Sequence, residues 1–109
     1  MSTPRKLAQT TLSTNQEVLY APEEGVGAMV TTMWLVNVTG GAITWTLYDA
    51  NNDGALTKTT QLTHLQSLAA GAYTQISTQI VLDSTNTLWA KADTAGGINM
   101  TLYGLEYTL

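Results

Sequence analysis

The chain has 109 residues, 44% hydrophobic and 11% charged, with a net charge of −4 and neither Cys nor Phe. That length holds one domain, and a second independent core does not fit in it. Without Cys there is no disulfide framework and no thiolate metal site. Arg5, Lys6, Lys58 and Lys91 are the only Lys and Arg residues, and they form no basic patch for a nucleic-acid backbone. No run approaches the ~18–20 apolar residues of a membrane span. The opening MSTPRKLAQTTL lacks the apolar stretch of a secretory signal. Synthesis in a cytoplasm is expected, with neither membrane nor nucleic acid as a partner.

Residues 1–5, which include Pro4, are expected to be a flexible N-terminal arm, and 6–109 a single domain. Lys6 to Leu12 predicts a first strand, Ser13-Thr14-Asn15-Gln16 a turn, and Glu17 to Ala21 a second strand stopped by Pro22. Ala28 to Thr39 predicts the longest strand. Read with a strict period of two, it puts Ala28, Val30, Thr32, Trp34, Val36 and Val38 on one face. Met29, Thr31, Met33, Leu35 and Asn37 fall on the other. Neither face is polar, so the strand is expected to be covered twice, by its own second sheet and by a neighbouring subunit. A long central strand under a loop is the other reading.

Gly40-Gly41 predicts a hairpin into Ala42 to Asp49, where Ile43, Trp45 and Leu47 alternate with Thr44, Thr46 and Tyr48. That is the pattern of a half-buried strand. Asn51 to Thr60 reads as a loop. Gln61 to Leu68, Tyr73 to Thr78, Gln79 to Leu82, Thr87 to Ala92 and Ile98 to Thr108 follow as strands, with a hairpin loop at Ala95-Gly96-Gly97. About eight short antiparallel strands predict an all-β, single-domain β-sandwich, jelly-roll-like or immunoglobulin-like. In the absence of Phe, Trp34, Trp45 and Trp89 are expected to anchor the core.

Little in the chain reads as chemistry. Asp49-Ala50-Asn51-Asn52-Asp53-Gly54 copies the start of a calcium loop, but Thr60 stands where a bidentate Glu belongs, and strands rather than helices flank it. Plain turn chemistry is the expected reading. His64 is the only His, with no local Ser–Asp arrangement and no second imidazole. The carboxylates fall mostly in turns, and a pair facing each other across a cleft is not expected. Glu106 is the exception: in the last strand it sits at an edge, or is buried against Arg5 or Lys91. Gly40-Gly41 and Gly96-Gly97 precede no helix, so they cradle no phosphate. Trp89 shares a face with Thr87, Lys91 and Asp93. It is a possible glycan platform, although packing at a subunit interface or under a loop is the expected role. No catalytic residue, metal or cofactor is expected.

Several turn and strand signatures coincide in one known pattern. They are Leu19-Tyr20-Ala21-Pro22 before a Gly turn, a long strand closing in Asn37-Val38-Thr39-Gly40, and Leu68-Ala69-Ala70-Gly71. A strand ending Ile80-Val81-Leu82 and a final Thr101-Leu102-Tyr103-Gly104-Leu105-Glu106 complete it. In these the chain resembles the small all-β structural proteins of tailed bacteriophages, of the capsid decoration (cement) or head-fibre type. The resemblance spans nearly the whole sequence. It implies a structural virion protein on the capsid surface, a homotrimer whose further partner is the major capsid protein. A tail or fibre component, and from a different class a carbohydrate-binding module, are the alternatives. The expected subunit-interface residues are Met29, Met33, Trp34, Leu35, Tyr103 and Tyr107, with Arg5 and Lys6 on the shell.

Overall fold

The structure, a computed structural model, describes residues 5–51, 62–63, 66–83 and 85–109. The strands are β1 (Arg5–Thr11), β2 (Glu17–Tyr20), β3 (Val26–Asn37), β4 (Ile43–Asn51), β5 (Gln66–Leu68), β6 (Tyr73–Leu82), β7 (Asn86–Ala92) and β8 (Ile98–Thr108). They form two four-stranded sheets, ordered β1-β8-β3-β6 and β2-β7-β4-β5. All pairs are antiparallel: β1 with β8, β2 with β7, β3 with β6, β4 with β5, and β8 and β7 also with β3 and β4. The first strand therefore pairs with the last, the second with the seventh, and so on inward. This is one long ribbon wrapped into two sheets, the jelly-roll order, and it decides between the two sandwich types that the sequence left open.

That topology changes the reading of the glycine pairs. Gly40-Gly41 joins β3 to β4 and Gly96-Gly97 joins β7 to β8, and in both cases the two strands lie in different sheets. They are arches across the sandwich, not hairpins. The first arch is built on Asn37, which is fully buried. Its Nδ2 donates to the Gly41 carbonyl (2.8 Å) and the Leu68 carbonyl (2.9 Å). Its Oδ1 accepts from the Thr39 amide (2.9 Å) and hydroxyl (2.7 Å). A buried amide with all these bonds made holds the end of β3, the arch and β5 in one register.

The core lies between the sheets. It is made by Val30, Met33 and Leu35 of β3, Ile43, Trp45 and Leu47 of β4, Ile80 and Leu82 of β6, Leu88, Ala90 and Ala92 of β7, and Ile98, Met100 and Leu102 of β8. A strict alternation, with Leu88, Ala90 and Ala92 of β7 and Ile98, Met100 and Leu102 of β8 all inward, holds. That of β3 does not. Between Val30 and Thr32 its partner β8 advances only from Gly104 to Tyr103. Thr31 is an extra residue, a bulge, and it reverses the faces of everything after it. Ala28 and Val30 point inward, and then so do Met33, Leu35 and Asn37. Met33 and Leu35 are 2% and 0% exposed, so they pack against the protein's own second sheet and cannot meet another subunit.

Two further expectations change. Of the three Trp residues, only Trp45 is in the core; Trp34 and Trp89 are half-buried on the outer faces. The polar face of β4 is not open to solvent, since Thr46 and Tyr48 are 1% and 3% exposed.

Gly104 stands opposite Val30 at the bulge. A methyl group built there would collide with the Met29 carbonyl and lie 3.0 Å from Leu7 Cδ1. The backbone on one side of that contact cannot yield without shifting the strand. Gly104→Ala is expected to cost about 3 kcal/mol in chemical denaturation. Gly40→Ala, whose new methyl meets nothing within 4 Å, should stay within about 0.5 kcal/mol of the parent.

Candidate interaction surface

The register fixes what each sheet shows to the outside. On the β1-β8-β3-β6 sheet, cross-strand rows run Lys6–Tyr103–Thr32–Ser77, Gln9–Thr101–Trp34–Gln75 and Thr11–Asn99–Val36–Tyr73. Leu105–Met29–Val81 and Tyr107–Gly27 continue them toward the other end. Trp34 and Tyr73 are diagonal neighbours and stack, with ring centroids 4.9 Å apart and planes 16° apart. Tyr73, Val81 and Tyr103 are 65%, 59% and 42% exposed. Among the described residues this face carries one formal charge, Lys6, at its β1 margin, where Nζ donates to Gln9 Oε1 (3.1 Å). An aromatic, apolar and amide-rich face with its charge confined to the rim has the composition of a protein interface.

Four of the six residues expected at an interface lie on this face: Met29, Trp34, Tyr103 and Tyr107. Tyr73 and Val81 join them and were not singled out in the sequence. Their strand alternates weakly, and only its place at the sheet edge beside Trp34 shows what they do.

The opposite sheet differs. Val18, Trp89 and Tyr48 form one outer row, with Lys91 beside Thr46. Trp89 is half-buried, and its indole Nε1 donates to Thr87 Oγ1 (2.7 Å). A glycan platform needs an open ring face, and this residue is only partly exposed.

Arg5 lies in β1, not in a free arm. Its guanidinium reaches Glu106 at 3.1 Å. The other oxygen of Glu106 accepts a hydrogen bond from the Tyr20 hydroxyl of β2. Glu106 is thus not on an edge strand; it sits on central β8 and clasps the two sheets together. Other carboxylates also have structural duties. Glu17 accepts from Ser13 (3.0 Å), Asp93 from Thr44 (3.0 Å) and Thr94 (3.2 Å), and Asp83 from the Thr85 amide and hydroxyl (2.8 and 2.7 Å). Asp49 holds Asn86. Ala50 and Asn51 close β4, while Asn52, Asp53 and Gly54 of the motif, and His64, lie outside the described residues. Among the described residues, no three acidic or imidazole groups gather as metal ligands.

No family model and no curated protein matches this chain. Solved structures do. A Bacillus endospore appendage protein, from a family described as disulfide-linked pili, aligns with a TM-score of 0.57 and 15% identity, over 99% of this chain and 88% of its own. A chain of the capsid of Helicobacter pylori bacteriophage KHP30 gives 0.54 and 15%, over 99% and 87%. A protein of infectious bursal disease virus, Gx strain, gives 0.53 and 14%, over 97% of this chain and 31% of its own. At these identities the likeness is one of fold.

Burial, then the hydrogen bond to Glu106, pushes the Tyr20 phenol well above its ordinary value. The neutral phenol is what the fold favours, so its contribution is complete below about pH 10 and is lost as pH rises past that. Melting temperature should therefore fall more steeply above pH 10 in the parent than in Tyr20→Phe. Burial also raises the Asp49 carboxyl, with nearby Asp83 adding to it and Asn86 opposing; one oxygen is buried without a partner. That group stabilises only while protonated, so ionisation costs stability at neutral pH. Asp49→Asn should raise the melting temperature at pH 7, and the gain should shrink as pH falls and disappear below the ordinary aspartate pKa of about 3.9.

Proposed function

We propose that this chain is a structural component of a virion, a non-enzymatic building block, and most specifically a decoration protein on the head of a tailed phage. The observation that carries the reading is the outer face of the β1-β8-β3-β6 sheet. It is built from Met29, Trp34, Tyr73, Tyr103 and Tyr107, with Lys6 as its one charge among the described residues. Such a face serves contact with other protein. The jelly-roll order, and its likeness to chains from a phage capsid and a viral capsid, support a shell as the setting. Among the described residues, the carboxylates of Glu17, Asp49, Asp83, Asp93 and Glu106 hold turns and sheets together, which supports a non-enzymatic role. Decoration would act by mass action: a protein that binds only the assembled shell stabilises that shell. Lys6 remains placed for a polar contact at the rim with the major capsid protein; Arg5 reaches it only at the expense of Glu106.

The likeness to a pilus subunit supports a second reading, a tail or fibre component. Disulfide linkage of the kind described for those pili is not open to these 109 residues, which hold no Cys.

The test is binding of the purified protein to phage heads that lack it. The parent should bind and raise the temperature at which the heads open. Tyr73→Ala and Tyr103→Ala, both at exposed positions, should each weaken binding about 30-fold, the loss expected at an aromatic hot spot. Trp89→Ala should bind as the parent does. Failure of the parent to bind heads, while it labels tails in electron micrographs, would transfer the assignment to the tail.

A further inference from the structure

The four sheet edges are not alike. An open edge is a template for another strand, and folded proteins blunt it with charge, Pro, bulges or shortness. The β1 edge carries Arg5 and Lys6 and is irregular at Leu7. The β2 edge has four residues, begins with Glu17 and is followed by Pro22; the β5 edge has three. The β6 edge is ten residues long, YTQISTQIVL, with no charge, no Pro and no Gly. Its one irregularity against β3 lies between Ser77 and Ile80. This leaves Tyr73 to Ser77 as a regular, unprotected stretch. Among the described residues nothing pairs with its far side.

The same stretch borders a groove of about 370 Å³ between the sheet margins, lined by Trp45, Leu68, Tyr73, Thr74 and Ile76 among others. Thr74 and Ile76 point into the sandwich but are only half-buried, because the sheet ends there. A strand added at this edge would place its alternate side chains over that groove.

We propose that the occupant is β6 of a second copy, paired antiparallel about a two-fold axis at Gln75. In that register Tyr73 faces the other copy's Ser77, Thr74 faces Ile76, and Gln75 faces itself. Inward residues meet inward ones, so Thr74 and Ile76 of each copy cover the other's groove margin. No charge opposes its like, the condition a self-paired strand must meet. Gln75 on the axis can donate to and accept from its own copy through one amide. The two sheets become one, with the Trp34–Tyr73 stacks flanking the seam on its outer side. The inference is separate from the virion reading: it needs only the protein in solution.

Sedimentation equilibrium of the whole chain tests it. The parent should reach twice the chain mass as concentration rises, and Gln75→Lys, which sets two like charges on the axis, should remain at the single-chain mass. Gln75→Glu should do the same, and an equimolar mixture of the two variants should return to twice the chain mass. Hydrogen exchange of the parent should show amides in 73–77 gaining protection with concentration, independent of any variant. A parent that stays single up to millimolar concentration, a three-chain mass, or a Gln75→Lys protein that pairs as the parent does would overturn the proposal. Loss of head binding by a protein that still pairs would count against the virion reading alone.

Discussion

The ladder between β3 and β8, from Val26 opposite Thr108 to Asn37 opposite Ile98, is the contact on which the sandwich depends. It joins segments far apart in the chain, and both strands are central in their sheet, with β6 on one side and β1 on the other. Beneath it lie Val30, Met33, Leu35, Ile98, Met100 and Leu102, which pack onto β4 and β7. Above it lie Trp34, Thr101 and Tyr103. The ladder can serve both layers only because one residue is added to β3 at Thr31 and space is made for it at Gly104. Without the bulge, the apolar residues on either side of position 31 would face opposite ways and neither layer would be continuous.

Much of this is legible in the sequence, for identifiable reasons. Strands bounded by Pro22, Gly71 or Ala95-Gly96-Gly97 are found nearly where expected, because turn chemistry is local. The inward set of β7 and β8 follows from simple alternation. The bulge does not: nothing in Val30-Thr31-Thr32-Met33 marks an extra residue, so Met33 and Leu35 read as surface. Asn37 was similarly opaque. A polar residue among apolar ones looks like an interruption until the arch it holds, and the Leu68 carbonyl it reaches, are in place. The pairing partners of β6 are set by the wrapping of the whole ribbon, which periodicity cannot supply.

Electrostatics in this protein serve closure more than recognition. The Arg5–Glu106–Tyr20 clasp ties β1 and β8 of one sheet to β2 of the other at the end of the sandwich away from the Asn37 arch. It spends on internal structure a cation that the chain would otherwise offer outward. With few charges in all, what remains on the β3–β8 face is aromatic and apolar, and burial rather than charge steering would govern what binds there.

The central position of β8 also bears on the order in which the chain is made. β8 is made after the other seven strands, yet it occupies the middle of its sheet. Until it arrives, β3 has one partner instead of two, the core lacks Ile98, Met100 and Leu102, and the outer face lacks Tyr103 and Tyr107. A nascent chain therefore holds no finished surface, and its apolar strands depend on remaining uncollapsed or protected until synthesis reaches β8. Completing the strand order and completing the outer face of the β1-β8-β3-β6 sheet are therefore a single event.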